Sequence, residues 1–448
     1  LLALTATATP RVREDIRRQL ELRDPQIFLA SFNRPNLNYR VIPKSKAAAQ
    51  VLQFVRERSD EAGIVYAQSR RMAESMAAAL CQAGIKAAPY HAGLEAEERA
   101  RNQEKFLRDD LQVICATIAF GMGINKPNVR YVIHADLPKN VESYYQETGR
   151  AGRDGLPSDC LLLYSRGDVV KYLRFFEEIT DLPARREARV QLEKMTHFAE
   201  DERCRRVSLL GYFGEEWTEE NCGACDQCLA PREKWDATTD VQKLLSCVLR
   251  LRQKSGFSTG LQHAVEVLTG GKSEKILRWG HETVSTYGVG GDHPRGYWVD
   301  LGRQLLRLGL LEASEDKFAT VSVTERGVEV LRAREKVALT RPMVRPVQDA
   351  AGPRKRRARS GEVACDEGLF EVLRKLRAEL ARSRNVPPYV VFSDATLRHM
   401  AREYPRDEMA LLQVPGVGER KLSDYGQVFL AAIGGWLSTK PRQRFAGE

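Results

Sequence analysis

The sequence contains no apolar run long enough to span a bilayer. No signal-peptide pattern opens it, and no internal repeat stands out. It also lacks a phosphate-cradling loop of the form G-x-x-x-x-G-K-[ST]. Gly271-Lys272-Ser273 comes nearest, but the first glycine of that pattern would fall at Glu266, and no buried strand precedes it. Asp60-Glu61-Ala62 imitates a magnesium-holding acidic box, yet it follows Arg56-Glu57-Arg58-Ser59 instead of an apolar strand. These absences argue against a membrane-spanning chain and make a reducing cytosol the expected setting. Disulfides rarely persist there, so the nine cysteines need another reason. Cys81, Cys115, Cys160, Cys247 and Cys365 are isolated and read as small buried hydrophobes. The other four form a cluster.

What is present begins with charge. A length of 448 residues calls for several domains, and a formal net charge of +10 favours an acidic partner, most plainly nucleic acid. A basic tail on an ordinary soluble protein would give the same balance. Leu1-Leu2-Ala3-Leu4 reads as a buried strand, and helical spacing follows from Val12 to Leu20. Because a natural chain seldom begins inside a strand, Leu1 reads as the start of a truncated product or partial record. Further strands are expected at Gly63–Tyr66, Val113–Ala116, Val129–His134 and Leu161–Tyr164, with a helix over Arg71–Cys81. Strands alternating with helices predict a parallel α/β sheet covered on both faces. Beyond residue 168 the pattern is helical as far as the cysteines. Two short β-like runs follow, Leu308–Glu312 and Phe318–Val323. Residues 341–362 read as a basic, solvated linker, and the rest is helical.

Ser143-Tyr144-Tyr145-Gln146-Glu147-Thr148-Gly149-Arg150-Ala151-Gly152-Arg153-Asp154-Gly155 is the most informative segment. On a helix, Arg150 and Arg153 would share one face, and Gly149 and Gly152 would let another backbone come close. Two guanidinium groups on an uncrowded face suit the charge of a transferring phosphoryl group. A surface helix with ordinary ion pairs would explain two arginines alone, but not the whole string.

The string from Tyr145 to Arg153 resembles motif VI of superfamily 2 helicases, in its RecQ form. Upstream, Val113–Lys139 is similar to RecQ motif V, Gly63–Arg70 to motif IV, and Leu4–Thr9 to motif III. Ala88–Leu94 matches the landmark that lies between motifs IV and V. The resemblance covers essentially the whole chain. It implies a DNA helicase driven by ATP and magnesium, moving 3′ to 5′, acting on single-stranded and branched DNA in recombination and repair, with no membrane partner. It implies a cytoplasmic, nucleoid-associated location. Arg153 would be the arginine finger, Arg150 would couple phosphate state to closure, and Gln146 would sit beside them. Thr117, Gly121 and Gly123 would line the nucleotide cleft, although Asn125 stands where many relatives carry Asp. Ser69 and Arg70 would face the DNA backbone, and Thr5 and Thr7 would relay between lobes. The family's phosphate cradle, acidic box and aromatic-rich loop would all lie upstream of Leu1, so this chain alone is expected to bind ATP poorly and not to hydrolyse it.

Seventeen residues separate Cys204 from Cys222, and two C-x-x-C steps lead on to Cys225 and Cys228. Four thiolates suit tetrahedral zinc in a closed, structural site. A redox pair or free thiols fit the clustering less well. The resemblance implies the full architecture: a remnant of a first RecA-like lobe (1–25), a second RecA-like lobe with a parallel sheet (26–168), a helical zinc-binding subdomain (169–235), a winged helix (236–340), the linker, and a small helical HRDC bundle (363–448). In the winged helix, a helix from Tyr297 has an apolar face (Leu301, Leu305, Leu308) and offers Arg303 and Arg307 to phosphates. Phe318, at the wing tip, is a candidate duplex wedge. Val414–Lys421 is the landmark of the HRDC bundle, where glycines expose backbone N–H groups and Lys421 adds charge. Those glycines fit a plain helix junction equally well. A non-enzymatic DNA-structure-binding module is the alternative function. An RNA helicase of the same superfamily is disfavoured by the motif VI form and the cysteines.

Overall fold

The structure, a computed structural model, describes residues 2–117, 125–219, 221–229, 234–314, 320–332, 334–340 and 363–445, without the side chains of Lys234, Arg307 and Thr340. The described residues fall into two compact units, one within Leu1–Ala230 and Arg356–Glu448, the other within Pro231–Lys355. Among them no helix is long and apolar enough to cross a membrane.

The first unit is built on six parallel strands: β1 (Leu37–Pro43), β2 (Ala62–Tyr66), β3 (Ala87–Tyr90), β4 (Val113–Ala116), β5 (Val129–His134) and β6 (Ser158–Tyr164). Their order is β1-β6-β5-β2-β4-β3. The central strands are apolar almost throughout because both faces are covered, and every residue of β4 and β5 is buried. Alternate side chains serve two cores. Val65, Val113, Cys115 and Ile133 pack with Val51, Met76 and Leu80 of helices Ala47–Arg56 and Arg70–Gln82. Ile64, Ile114, Val132 and Leu162 pack with Phe106, Tyr144 and Phe198 on the other face. A half-buried lysine after β1 joins the end of β5 to the helix that follows β6: Lys44 Nζ reaches Asp136 Oδ1 at 2.5 Å and Asp168 Oδ1 at 2.8 Å.

Helix Pro10–Gln19 forms where helical spacing predicts one, with the Thr9 hydroxyl accepting from Val12 N. The expected strand ahead of it does not form. Leu2 and Leu4 are exposed and the segment pairs with no neighbour; an apolar run becomes a buried strand only when strands flank it. Two strands carry no such signal in the sequence. β1 alternates buried and half-buried residues. β3 is four residues long and contains Pro89, which its place at the sheet edge tolerates.

Helices Leu182–Glu200 and Arg205–Tyr212 and the cysteine segment close over the β1 edge. Asp226 Oδ2 accepts from Val41 N at 3.1 Å, and Arg205 Nε donates to Asp226 Oδ1 at 3.0 Å. Covering an edge strand in this way removes unpaired backbone groups that would otherwise invite aggregation. The helical bundle from Glu367 to Thr439 has its own core around Leu369, Phe392, Met400 and Phe429. It touches the lobe where Arg374 Nη1 donates to Asp60 O at 3.3 Å. Asp60 thus precedes β2, as an acidic box at the end of a strand would not.

The second unit packs helices Thr238–Ser255, Leu261–Leu268, Arg295–Arg307 and Glu325–Leu331 with an antiparallel hairpin, Leu311–Ala313 with Val321–Val323. This is the winged-helix arrangement; the first β-run starts later than the sequence suggests because Leu308–Leu310 finish the preceding helix and turn. Trp298 is fully buried and its indole donates to Gly290 O at 2.7 Å. Gly271-Lys272-Ser273 follows a helix, not a strand, which removes it as a phosphate loop.

Candidate active site and four-cysteine cluster

Helix Val141–Thr148 starts at Asn140, whose side chain accepts from Ser143 N, and ends at Gly149. Arg150 and Arg153 therefore do not share a helix face, as their spacing suggested; both stand on the turn that follows. Past the helix, the carbonyls of the turn are held by side chains from outside it. Arg34 Nη1 donates to Gly149 O at 3.3 Å, and Nη2 donates to Ala151 O at 3.1 Å and Gly152 O at 3.0 Å. Asn36 Nδ2 adds bonds to Gly152 O at 2.8 Å and Leu156 O at 2.9 Å. Gly152 has φ +57°, and a Cβ there would lie 2.4 Å from Asn36 Nδ2 and 2.8 Å from Leu156 O. Only glycine fits, because both the backbone angle and the space forbid a side chain.

The turn gathers cations. Burial, then repulsion by Arg150 and Arg34, lowers the Arg153 pKa from its usual value. Arg153 Nη1 donates to Asn125 Oδ1 at 3.3 Å. Arg150 hydrogen-bonds the Tyr66 hydroxyl, whose pKa is raised mainly by burial. Tyr66 stacks on His134 with ring centroids 5.2 Å apart, and His134 Nε2 lies 2.7 Å from Glu147 Oε2. The C-terminal ends of β2 and β5 thus hold the arginine turn from below. Gln146 is exposed, and its Nε2 donates to Thr7 Oγ1 at 2.8 Å, which brings the Thr-Ala-Thr segment to the same helix. Arg150 and Arg34 repel the Arg153 guanidinium, and an anionic phosphate would relieve that repulsion.

The sulfurs of Cys204, Cys222, Cys225 and Cys228 all lie within 4.8 Å of one another. Cys204 Sγ and Cys225 Sγ are 4.0 Å apart, close to the roughly 3.8 Å that tetrahedral ligands on ~2.3 Å zinc–sulfur bonds require. Hydrogen bonds from the Cys222 and Cys225 thiols hold the Cys204 pKa far below its usual value. Four soft donors at this spacing fit zinc, and a closed set leaves no position for substrate.

Four family models match in chain order: the helicase conserved C-terminal domain over residues 44–155, RecQ zinc-binding over 166–229, the RQC domain over 231–347 and the HRDC domain over 366–433. The chain is 40% identical over 434 residues to the ATP-dependent DNA helicase RecQ of Pasteurella multocida, covering 97% of this chain and 67% of that protein. It is 36% identical to the protein of the same name from Bacillus subtilis, covering 97% and 70%. The chain belongs to the RecQ family. It also shares 37% identity over 463 residues with the RecQ-like DNA helicase BLM of Xenopus laevis, covering 33% of that protein. Among solved structures, a DEAD box protein from Methanococcus jannaschii aligns over 38% of this chain and 46% of that one, at 23% identity and a TM-score of 0.31.

In this RecQ-family chain the remaining candidates are scattered. Ser69 caps helix Arg70–Gln82 by accepting from Met72 N at 3.2 Å, so its hydroxyl has a structural task. Arg70 is exposed and lies over Gly93, which brings the Gly63–Arg70 and Ala88–Leu94 motifs together. Thr117 is half-buried, its N–H bonded to Tyr90 O at 3.2 Å. Gly121, Gly123 and Phe318 lie outside the described residues. Arg303 pairs with Asp300 at 2.9 Å, while the Arg307 side chain is not described. Leu301 and Leu305 are buried as expected, but Leu308 caps the helix and is 40% exposed. Lys421 is half-buried over the Phe392 ring, and loss of solvent lowers its pKa. Gly416, at φ +88° and against Thr396, is there for the turn. Arg34 and Asn36 were invisible in the sequence as site residues, because single polar residues in a loop carry no spacing signal; Tyr66 and Glu147 fell inside the motif strings without being singled out.

Proposed function

We propose that the chain is the second motor lobe and the DNA-binding portion of an ATP-dependent 3′–5′ DNA helicase of RecQ type, working in recombination and repair. Arg153 acts as the arginine finger, Arg150 couples phosphate state to closure, and Gln146 with Thr5 and Thr7 links the lobes. Thr117, Gly121 and Gly123 belong to the cleft. The observation that carries this reading is the pair Arg150 and Arg153 on one glycine-shaped turn, which Arg34 holds by its carbonyls. ATP and magnesium need a phosphate cradle that these 448 residues do not encode, so the polypeptide by itself does not turn ATP over. Bound at the arginines, the triphosphate would supply the phosphoryl group; the chain's own part is to neutralise charge on it. Zinc at the four cysteines is structural.

The lack of a cradle also favours a second reading, a DNA-structure-binding module without catalysis, located in the cytoplasm at the nucleoid. In both readings Ser69, Arg70, Arg303, Arg307 and Lys421 supply phosphate contacts. Titrating the chain with forked and single-stranded DNA at several salt concentrations, with RNA as competitor, tests the shared part. Arg303→Ala should weaken binding alike for all sequences and reduce the salt slope by about 0.9. An unchanged slope would mean that Arg303 is spent on Asp300, and preference for RNA would remove the DNA assignment.

A further inference from the structure

The arginine turn is held from a direction that motif VI itself does not supply. Every residue of motif VI can be present and the turn still be misplaced, because three of its carbonyls are fixed by one guanidinium outside it. Arg34 spans Gly149, Ala151 and Gly152, the residues that flank Arg150 and precede Arg153. The planar fork of arginine can serve diverging acceptors at once; a lysine ammonium is a single point. The carbonyls of Asn36 and Arg34 are themselves engaged, by Ser158 N at 2.9 Å and Leu37 N at 3.0 Å.

The segment carrying Arg34 is fastened in turn. Arg206, nearly fully buried, donates to Asn33 Oδ1, to Leu37 O at 3.1 Å and to Pro35 O at 3.5 Å. Glu215 Oε2 accepts from Phe32 N at 2.6 Å. Arg206 lies on the helix that begins directly after Cys204. A continuous series of hydrogen bonds thus runs from the four-cysteine side of the fold, through residues 33–37, to the turn that bears the arginine pair.

We infer that Arg34 is the positioning residue of the arginine turn, and that Arg206 fastens Arg34 to the four-cysteine side of the fold. The inference rests on the reading that Arg150 and Arg153 meet a phosphoryl group. A chain of contacts becomes coupling only if changes at its ends are not independent, so the test is a mutant cycle on the chain as it stands. Amide hydrogen exchange reads the turn directly, since Gly149, Arg150, Ala151, Gly152 and Gly155 all donate backbone hydrogen bonds.

Arg34→Ala should speed exchange over residues 149–155 by about tenfold or more, while β4, β5 and the Thr238–Ser255 helix keep theirs. Arg34→Lys should not restore protection, and the Arg153 guanidinium NMR signal should move in both variants. Arg206→Ala should speed exchange at 33–37 and again at 149–155, and adding it to Arg34→Ala should have little further effect on the turn. Restoration by Arg34→Lys would mean that the side chain only fills space, and would overturn the first half. An Arg206→Ala effect confined to residues 33–37 would overturn the second. If Arg34→Ala fails to fold, the Lys and Arg206 variants still decide. Because exchange is read without nucleotide, an Arg153 variant that retained ATP turnover in a form completed by a phosphate-gripping lobe would sink the arginine-finger reading and leave this result untouched.

Discussion

Replacing Arg153 with alanine, in a form of the protein completed by a phosphate-gripping lobe, should abolish DNA unwinding and leave DNA binding nearly intact. Arginine fingers are worth roughly 10³–10⁵ in turnover, so ATP hydrolysis should fall by a factor of that order. The contrast with Arg130 shows why Arg153 is the residue to change. Arg130 is buried and spends its donors on Asp154, Pro127 O, Asn128 O and Ser158 Oγ. It ties β5 to the turn, and losing it should cost stability. Arg153 is exposed beside two other guanidinium groups. Like charges held together cost free energy that an anion returns. Arg153→Lys should recover little, because a point charge does not reproduce a bidentate fork. Lost DNA binding with hydrolysis retained would reverse the role assigned to Arg153.

Chelation of zinc, or Cys225→Ser, should unfold residues 182–229 and expose the β1 edge. Structural zinc in small cysteine sites contributes about 10–16 kcal/mol of apparent binding free energy, and that energy is folding energy. The region is not a separate bead here. Cys204 and Cys225 belong to the same core as Phe198, Leu209, Leu210 and the sheet residues Tyr39 and Leu162. Asp226 holds Val41 N, and Tyr39 bridges Cys225. Loss of metal should therefore remove exchange protection from β1 while β2, β4 and β5 stay protected. Metal analysis of the purified chain should find one zinc per molecule. A zinc-free sample with unchanged protection would contradict the assignment.

The parallel sheet was legible because short, mostly apolar runs such as Val113–Ala116 and Val129–His134 alternate with helical patterns. β1 was not, since apolar and polar residues alternate in its first half and its neighbour β6 lies far along the chain. The cysteines were legible from spacing alone, as thiolates brought together by two short steps have few other uses. The arginine pair was half legible. Its residues were evident, but helical spacing placed them on a helix, whereas they stand on a turn held by Arg34, more than a hundred residues upstream. Local periodicity cannot report a partner at that distance.

The central claim is that these residues form the arginine-bearing lobe and DNA-binding modules of a RecQ-type helicase, with the phosphate cradle supplied from outside them. ATP hydrolysis by the purified 448-residue chain, with and without single-stranded DNA, tests it most directly when run beside a DNA-binding titration. The account predicts DNA binding with no hydrolysis above background. DNA-stimulated hydrolysis would contradict it, by showing that a phosphate cradle exists within these residues.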